Sequence, residues 1–286
     1  MLINLSGYLI DFSSPIVMGI LNITPDSFFE GSRCQTADKI RYRVEEIVRQ
    51  GGKIIDAGGY STRPGAKEVT AEEELDRIIL ALEIIRENFP EVPVSVDTFR
   101  ADVARIAVSD FGAAIVNDIS GGELDDRMFE TVANLKVPYI LMHMKGNPQT
   151  MQQNTDYVDF IPEIFLYFAE KVNRLKQLGV NDIILDPGFG FAKTLDQNYE
   201  LLAKMNLFSQ FGLPVLAGVS RKRMIWQLLD ATPGESLNGT TALNMLALTQ
   251  GADILRVHDV KEAVEAVKIY EKFKEFNVQD FKNSKV

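Results

Sequence analysis

Short apolar runs, rich in β-branched residues, punctuate the chain at Ile16 to Leu21, Lys53 to Ala57, Pro93 to Val96, Ala113 to Val116, Val137 to Met142, Asp182 to Leu185, Pro214 to Val219 and Asp253 to Val257. Each is too short for a helix and too continuously apolar for a strand with one wet face. Between them lie stretches of helical period. Ile40, Val44, Ile47 and Val48 share one face ahead of Gly51, and Thr70 with Glu73 makes a capping box before Leu75, Ile78, Ile79, Leu82 and Ile85. Buried strands alternating with amphipathic helices predict a parallel sheet covered on its outer face. Eight such units predict closure into a (β/α)8 TIM barrel, the α/β fold class, as one domain over residues 1–286. The N-terminal "MLINLSGYLIDFSS" precedes the first unit and is expected to form a short strand or hairpin.

Composition narrows the picture in three ways. Apolar residues make up 46% and charged residues 24%, and no run reaches the roughly 18 apolar residues of a membrane helix, so no membrane association is expected. A net charge of −10 argues against nucleic acid as a partner and requires that any anionic substrate be held by local cations. A single cysteine, Cys34, forms no internal disulfide. The N-terminus has no basic residue before its apolar run and Asp11 interrupts it, so no signal peptide is expected and the compartment is cytoplasmic.

Every run contributes polar residues at or just past its C-terminal end. They are Asn22; Ser61, Thr62 and Arg63 in "GGYSTRPGA"; Asp97 in "VSVDTFR"; Asn117 and Asp118 in "IVNDIS"; His143; Asp186 in "ILDPGFGFAK"; Ser220, Arg221 and Lys222 in "GVSRKRM"; and Arg256 and His258 in "LRVHD". One aspartate after a strand can be no more than the N-cap of the next helix. In a barrel, however, all eight ends converge on one face, where barrel active sites form. Asn22 thus belongs to a ring of site residues, with "TPDSFFEGS" as a loop over its mouth.

The ordered set "GILNITPDSF", "GGYSTRPGA", "SVDT", "VND", "DPGFGFAK", "GVSRK" and "RVHD" resembles the dihydropteroate synthase family of the folate pathway from about Pro15 to the last helix. The motifs are specific jointly rather than singly. Tyr60 stands where a Glu is frequent in that family. The resemblance implies a transferase that joins a dihydropterin methyl diphosphate to p-aminobenzoate, releases diphosphate and uses magnesium (Mg2+); it also implies a homodimer. Asp97, Asn117, Asp186 and Lys222 are the implied pterin contacts, and Asn22, Arg63, Arg256 and His258 the diphosphate contacts. The p-aminobenzoate contacts would be Thr62, Arg63, Pro64, Phe28, Phe191, Ser220 and Lys222, with Asp97, Lys222 and Asn22 central to catalysis.

The chemistry suits these residue types. A pterin edge sets donors beside acceptors, which a buried carboxylate such as Asp186 or Asp97 can read. Arg256 and His258, two apart on a strand, face the same side and suit an anion. Asn22 offers magnesium a neutral oxygen. Phe28 and Pro64 could flank a flat aniline, and its carboxylate would sit near Ser220 and the first turn of a helix opened by "SRKRM". Loss of diphosphate leaves a cation spread over the electron-rich dihydropterin, so bond breaking is expected to lead.

Other signals carry less. "GESLNGTT" has phosphate-loop glycine spacing but Thr240 in place of the lysine, and "GFGFAK" lacks the third glycine of a dinucleotide site. Two histidines and one cysteine do not make a zinc cluster. Two alternatives remain: a pterin-dependent methyltransferase domain, which the paired "STRPGA" and "GVSRK" loops oppose, and a non-catalytic pterin-binding paralogue, which has no need of both loop and anion residues. The C-terminal helices, with apolar positions such as Leu243, Leu246 and Leu248, offer more hydrophobic surface than one barrel face should need, so a homodimer is expected there.

Overall fold

The structure is a computed structural model that describes residues 2–5, 8–23, 37–61 and 68–283. Among the described residues, eight parallel strands form one sheet: β3 (Ile16–Asn22), β4 (Ile54–Gly58), β5 (Val94–Asp97), β6 (Ile115–Asp118), β7 (Tyr139–Met142), β8 (Ile183–Asp186), β9 (Leu216–Ala217) and β10 (Ile254–Val257). They run in the order β8-β7-β6-β5-β4-β3-β10-β9, and a parallel bridge from Leu185 to Val215 closes the ring between β8 and β9. This is the expected (β/α)8 barrel. The observed strands fall within the predicted runs or extend them by one or two residues. Asn22, Asp97, Asp118 and Asp186 are the last residues of their strands rather than the first of their loops.

Strand β9 is shorter than the sequence run because the ladder loses its partners there. Pro214 has no N–H to give, and the Val215 N–H turns to the Asp253 carboxylate at 2.8 Å. The hairpin expected at the N-terminus is present: β1 (Leu2–Leu5) pairs antiparallel with β2 (Tyr8–Asp11). Ile3, Leu5 and Phe12 bury against Met18, Ile54, Ile115, Ile140, Ile184, Leu216 and Ile254, an apolar layer that plugs the end of the barrel opposite the site.

Helices α1 (Ala37–Arg49), α2 (Ala71–Asn88), α3 (Ala101–Ser109), α4 (Met128–Leu135), α5 (Phe160–Gln177) and α6 (Leu195–Ala203) cover the outside, followed by α7 (Arg223–Trp226), α8 (Leu237–Thr249) and α9 (Val260–Asn283). Helix α1 buries Ile40, Val44 and Ile47 and stops at Gly51, whose φ of +95° favours glycine. The Thr70–Glu73 capping box opens α2 as predicted.

The helix expected from "SRKRM" is present as α7, a single turn of four residues with Lys222 as its N-cap, after Arg221 at a left-handed φ of +53°. One expectation needs correction. On α8, Leu243 and Leu248 belong to the barrel core and only Leu246 of the three is exposed, so these positions do not build the apolar face expected for a partner.

Candidate active site

The parallel register sets the ring at one level. Asn22 stands opposite Gly58, Gly58 opposite Asp97, and Asp97 opposite Asn117, while Met142 stands opposite Asp186. Above them opens a cavity of about 540 Å³, lined by Asn22, Tyr60, Ser61, Asp97, Asn117, Asp186, Phe191, Ser220, Lys222, Arg256 and His258, among others. The volume suits a substrate of drug size. Nine of the expected site residues therefore meet in one place. Phe28, Thr62, Arg63 and Pro64 fall in residues 24–36 and 62–67, outside the described residues.

One side of the cavity is built on an arginine held by two carboxylates. Arg256 Nε donates to Asp56 Oδ2 and its Nη2 to Asp97 Oδ2, each at 2.6 Å. Asn117 donates from Nδ2 to the same Asp56 at 3.1 and 3.3 Å. Arg256 was expected to await an anion; it is already engaged, and any anion must share it. Burial pushes the Asp97 carboxyl up to about 7. Arg256 opposes that rise, while the negative charges of Asp56, Glu74 and Asp118 add to it. Burial works against the Arg256 charge, but the two aspartates outweigh it and hold the guanidinium protonated.

The other side rests on lysines. Lys222 donates to the carbonyl of Phe189, and its ammonium lies 4.7 Å from the centre of the Phe191 ring. Burial lowers its pKa to about 8, and the Asp186 carboxylate limits the fall. Asp186, buried and raised by desolvation, accepts from the Gly188 N–H at 2.8 Å. Behind this loop Lys193 is buried and donates to the carbonyls of Gly188 at 2.9 Å and Phe191 at 3.0 Å, with His143 Nδ1 at 3.0 Å. Burial and the Lys193 charge keep His143 well below its usual range. Gly188 has a φ of +73°, and a Cβ there would lie 2.1 Å from the His143 carbonyl, so only glycine fits the loop.

The anion side holds a surprise at His258. Burial, then Arg256, Arg43, Arg221 and Lys222, depress its pKa to about 3, so it is a neutral imidazole and contributes hydrogen bonds rather than charge. Its Nδ1 lies 3.2 Å from Ser220 Oγ. Arg221, which looked like a further cation for the site, is committed to Asp259 at 2.8 and 2.9 Å and to two carbonyls. Among the described residues, no group of three His, Cys, Asp or Glu side chains could hold a metal. Asn22, partly buried on the cavity wall, presents a hard neutral oxygen, so a magnesium ion there would complete its shell from substrate oxygens and water. The donor set fits a lightly held ion of that kind.

The sequence did not single out Asp56, Lys193 or the segment from 144 to 157. Asp56 had a legible signal, a charged residue inside the apolar "KIIDAGG". Lys193 was visible only as the end of a motif. In the segment, Gln149 bridges to the Tyr60 hydroxyl at 3.1 Å and Gln152 to the Gly190 carbonyl at 3.2 Å, and no pattern marks either. Met142, Met144, Met151 and Ile119 form an apolar wall beside them, suited to the face of a flat ring.

Known proteins share this arrangement along nearly the whole chain. The family described as "Pterin binding enzyme" matches residues 18–258. Dihydropteroate synthase of Escherichia coli (strain K12) is 46% identical over 267 residues, covering 93% of this chain and 94% of that protein. The structure of Yersinia pestis dihydropteroate synthase with a sulfonamide drug superposes with a TM-score of 0.91 at 41% identity, covering 96% and 99% of the two chains. That of Xanthomonas albilineans dihydropteroate synthase with 4-aminobenzoic acid gives 0.86 at 35% identity, covering 96% and 98%. With the same barrel and this degree of identity along nearly the whole chain, the chain belongs to the dihydropteroate synthase family of pterin-binding enzymes.

Proposed function

We propose that this chain condenses 6-hydroxymethyl-7,8-dihydropterin diphosphate with p-aminobenzoate, giving 7,8-dihydropteroate and diphosphate. The observation that carries this is the meeting, in one cavity, of a fixed guanidinium, the buried Asp186 and partly buried Asp97 carboxylates, a softened lysine and an apolar wall. Asp186, Asn117 and Lys222 would read the edges of the pterin, whose face lies against the methionine wall. Arg256 and His258 would hold the diphosphate, one by charge and the other by hydrogen bonding, with Arg63 added from its loop. Magnesium, when bound at Asn22, would neutralise charge on the departing group.

Asp97 carries the chemistry on the opposite side of the breaking bond. A carboxylate there stabilises the cation that develops on the dihydropterin as diphosphate leaves. The aniline nitrogen is already nucleophilic at neutral pH and needs no base before it attacks. Phe191, Ser220 and Lys222, with Phe28, Thr62, Arg63 and Pro64 from the loops, would form the p-aminobenzoate site. The amine would point toward the exposed carbon. The three relatives compared above are all dihydropteroate synthases and favour neither a methyltransferase nor a non-catalytic paralogue.

Residues 1–286 are taken as one catalytic domain, acting in the cytoplasm and paired as a homodimer. Among the described residues, no helix is long and apolar enough to cross a membrane. Incubating the purified protein with the pterin diphosphate and p-aminobenzoate, with and without magnesium, tests the activity. Dihydropteroate and diphosphate should form in equal amounts and depend on the metal. Release of diphosphate without the coupled product would contradict the proposal.

A further inference from the structure

The interior of β4 changes character within two residues. Ile54 belongs to the apolar layer that fills the lower barrel, whereas Asp56, next on the same face, is fully buried and charged. A carboxylate at that depth is costly unless its oxygens are satisfied. Both are: Oδ2 takes the Arg256 Nε and both face the Asn117 amide. Ser95, its register neighbour on β5, is also buried, and its hydroxyl has no hydrogen-bond partner among the described residues. The barrel floor is thus polar directly beneath the cavity, where branched apolar side chains ordinarily pack. None of the proposed substrate contacts involves Asp56 itself.

We propose that Asp56 is a positioning residue for the reaction, fixing the Arg256 guanidinium by its Nε edge and the plane of the Asn117 amide from below. The inference rests on the synthase activity proposed above. With Nε anchored, Arg256 keeps one edge on Asp56 and reaches Asp97 with Nη2 alone. Asp97 therefore shares its arginine instead of being closed into a bidentate pair, and an incoming anion can draw on the guanidinium without unseating it. Remove the anchor and the fork is free to turn both Nη groups onto Asp97, the geometry that arginine and carboxylate prefer. The carboxylate needed beside the developing cation would then be neutralised by its own neighbour. The Asn117 amide would lose the acceptor that sets its orientation.

This account separates positioning from bulk packing by a sign. The groups that act on Asp97 are Arg256 from β10, Asp56 from β4, Glu74 from α2 and Asp118 from β6, with Lys222 beyond β9. Loss of the Asp56 charge removes a repulsion, and a closer Arg256 adds an attraction. Both lower the Asp97 pKa from its value of about 7.

The experiment compares wild type with Asp56→Asn, and with Asp56→Ser, whose smaller side chain leaves room for a water. The wild-type assay with both substrates tests the activity itself, so its failure is distinguishable from failure of the variants. In a variant with an unchanged unfolding midpoint, kcat/KM at pH 8 should fall about 10- to 100-fold, the scale for a misplaced catalytic group. The acid limb of its pH profile should move to lower pH by about one unit, and a ligand-free crystal structure should show Arg256 donating both Nη groups to Asp97. An acid limb that stays in place or moves upward, or an Arg256 that keeps its wild-type position, would overturn the inference. So would an active wild type whose two variants both fail to fold, because Asp56 would then serve the core alone.

Discussion

The two sides of the cavity hold positive charge in different ways. On the side of β4, β5 and β10, Arg256 is kept protonated by two carboxylates that also fix its plane. On the side of β8 and β9, Lys222 faces one carboxylate and an aromatic ring, and burial has brought its pKa to about 8. Arginine cannot lose its proton in working conditions, and lysine, desolvated, can. The difference matches the proposed division of labour. A departing diphosphate needs permanent charge in a fixed place, while a pterin edge needs a donor whose strength the surroundings tune. Lys193, still deeper and drawn down by burial, carries this softening further and serves the loop rather than the ligand.

If the arginine side drives bond breaking, Asp97→Asn has the largest effect: turnover should fall roughly a hundredfold or more, the scale for losing one electrostatic stabiliser. Stability should move the other way. Because the folded pKa of Asp97 is raised to about 7, the folded state binds the extra proton, and this group's contribution to stability is lost as pH rises from the unfolded value toward 7. Asparagine removes that loss, so at pH 8 the variant should unfold no earlier than wild type. Reduced activity with reduced stability would mean a packing role.

Arg256→Ala comes next. It should weaken diphosphate-bearing ligand by about 1.5 to 3 kcal/mol, as expected for one charge-assisted contact. A pterin without diphosphate should lose far less by calorimetry, and equal losses would erase the contrast between the two sides. Buried Asp56 and partly buried Asp97 would also lose their partner, so the variant should unfold at lower temperature.

The smallest effect is on pH dependence. Asp97 must be ionised and Lys222 protonated, so kcat/KM should rise as pH approaches about 7 and fall beyond about 8. A rate that stays flat through pH 9 would show that the Lys222 charge is not required.

The barrel was legible because its strands are near-continuous apolar runs and its helices carry plain caps, as at Thr70. The ring was legible because polar side chains at successive strand ends can meet only on one face of a closed sheet, although His143, after β7, turned behind the loop to Lys193 instead. Partnership was not legible. Nothing in "LRVHD" says that Arg256 reaches past β3 to a residue 200 positions away, or that His258 is neutral beneath three arginines and a lysine. Those properties arise from distances between strands remote in sequence. Which leucines of α8 stay exposed was not legible for a related reason: a helix with little amphipathic contrast does not announce which side chains the core will take, and it took Leu243 and Leu248 and left Leu246 outside.

The central claim is that fixed charge on the arginine side lets diphosphate depart before the aniline attacks. Substrate labelled with oxygen-18 in the bridging position, bound with magnesium and without p-aminobenzoate, tests it most directly. The account predicts that the label moves into non-bridging oxygens in bound substrate, and that Asp97→Asn slows this exchange together with turnover. Label that stays in the bridge, with a rate that climbs steeply with the basicity of substituted anilines, would contradict it and make the reaction a concerted displacement.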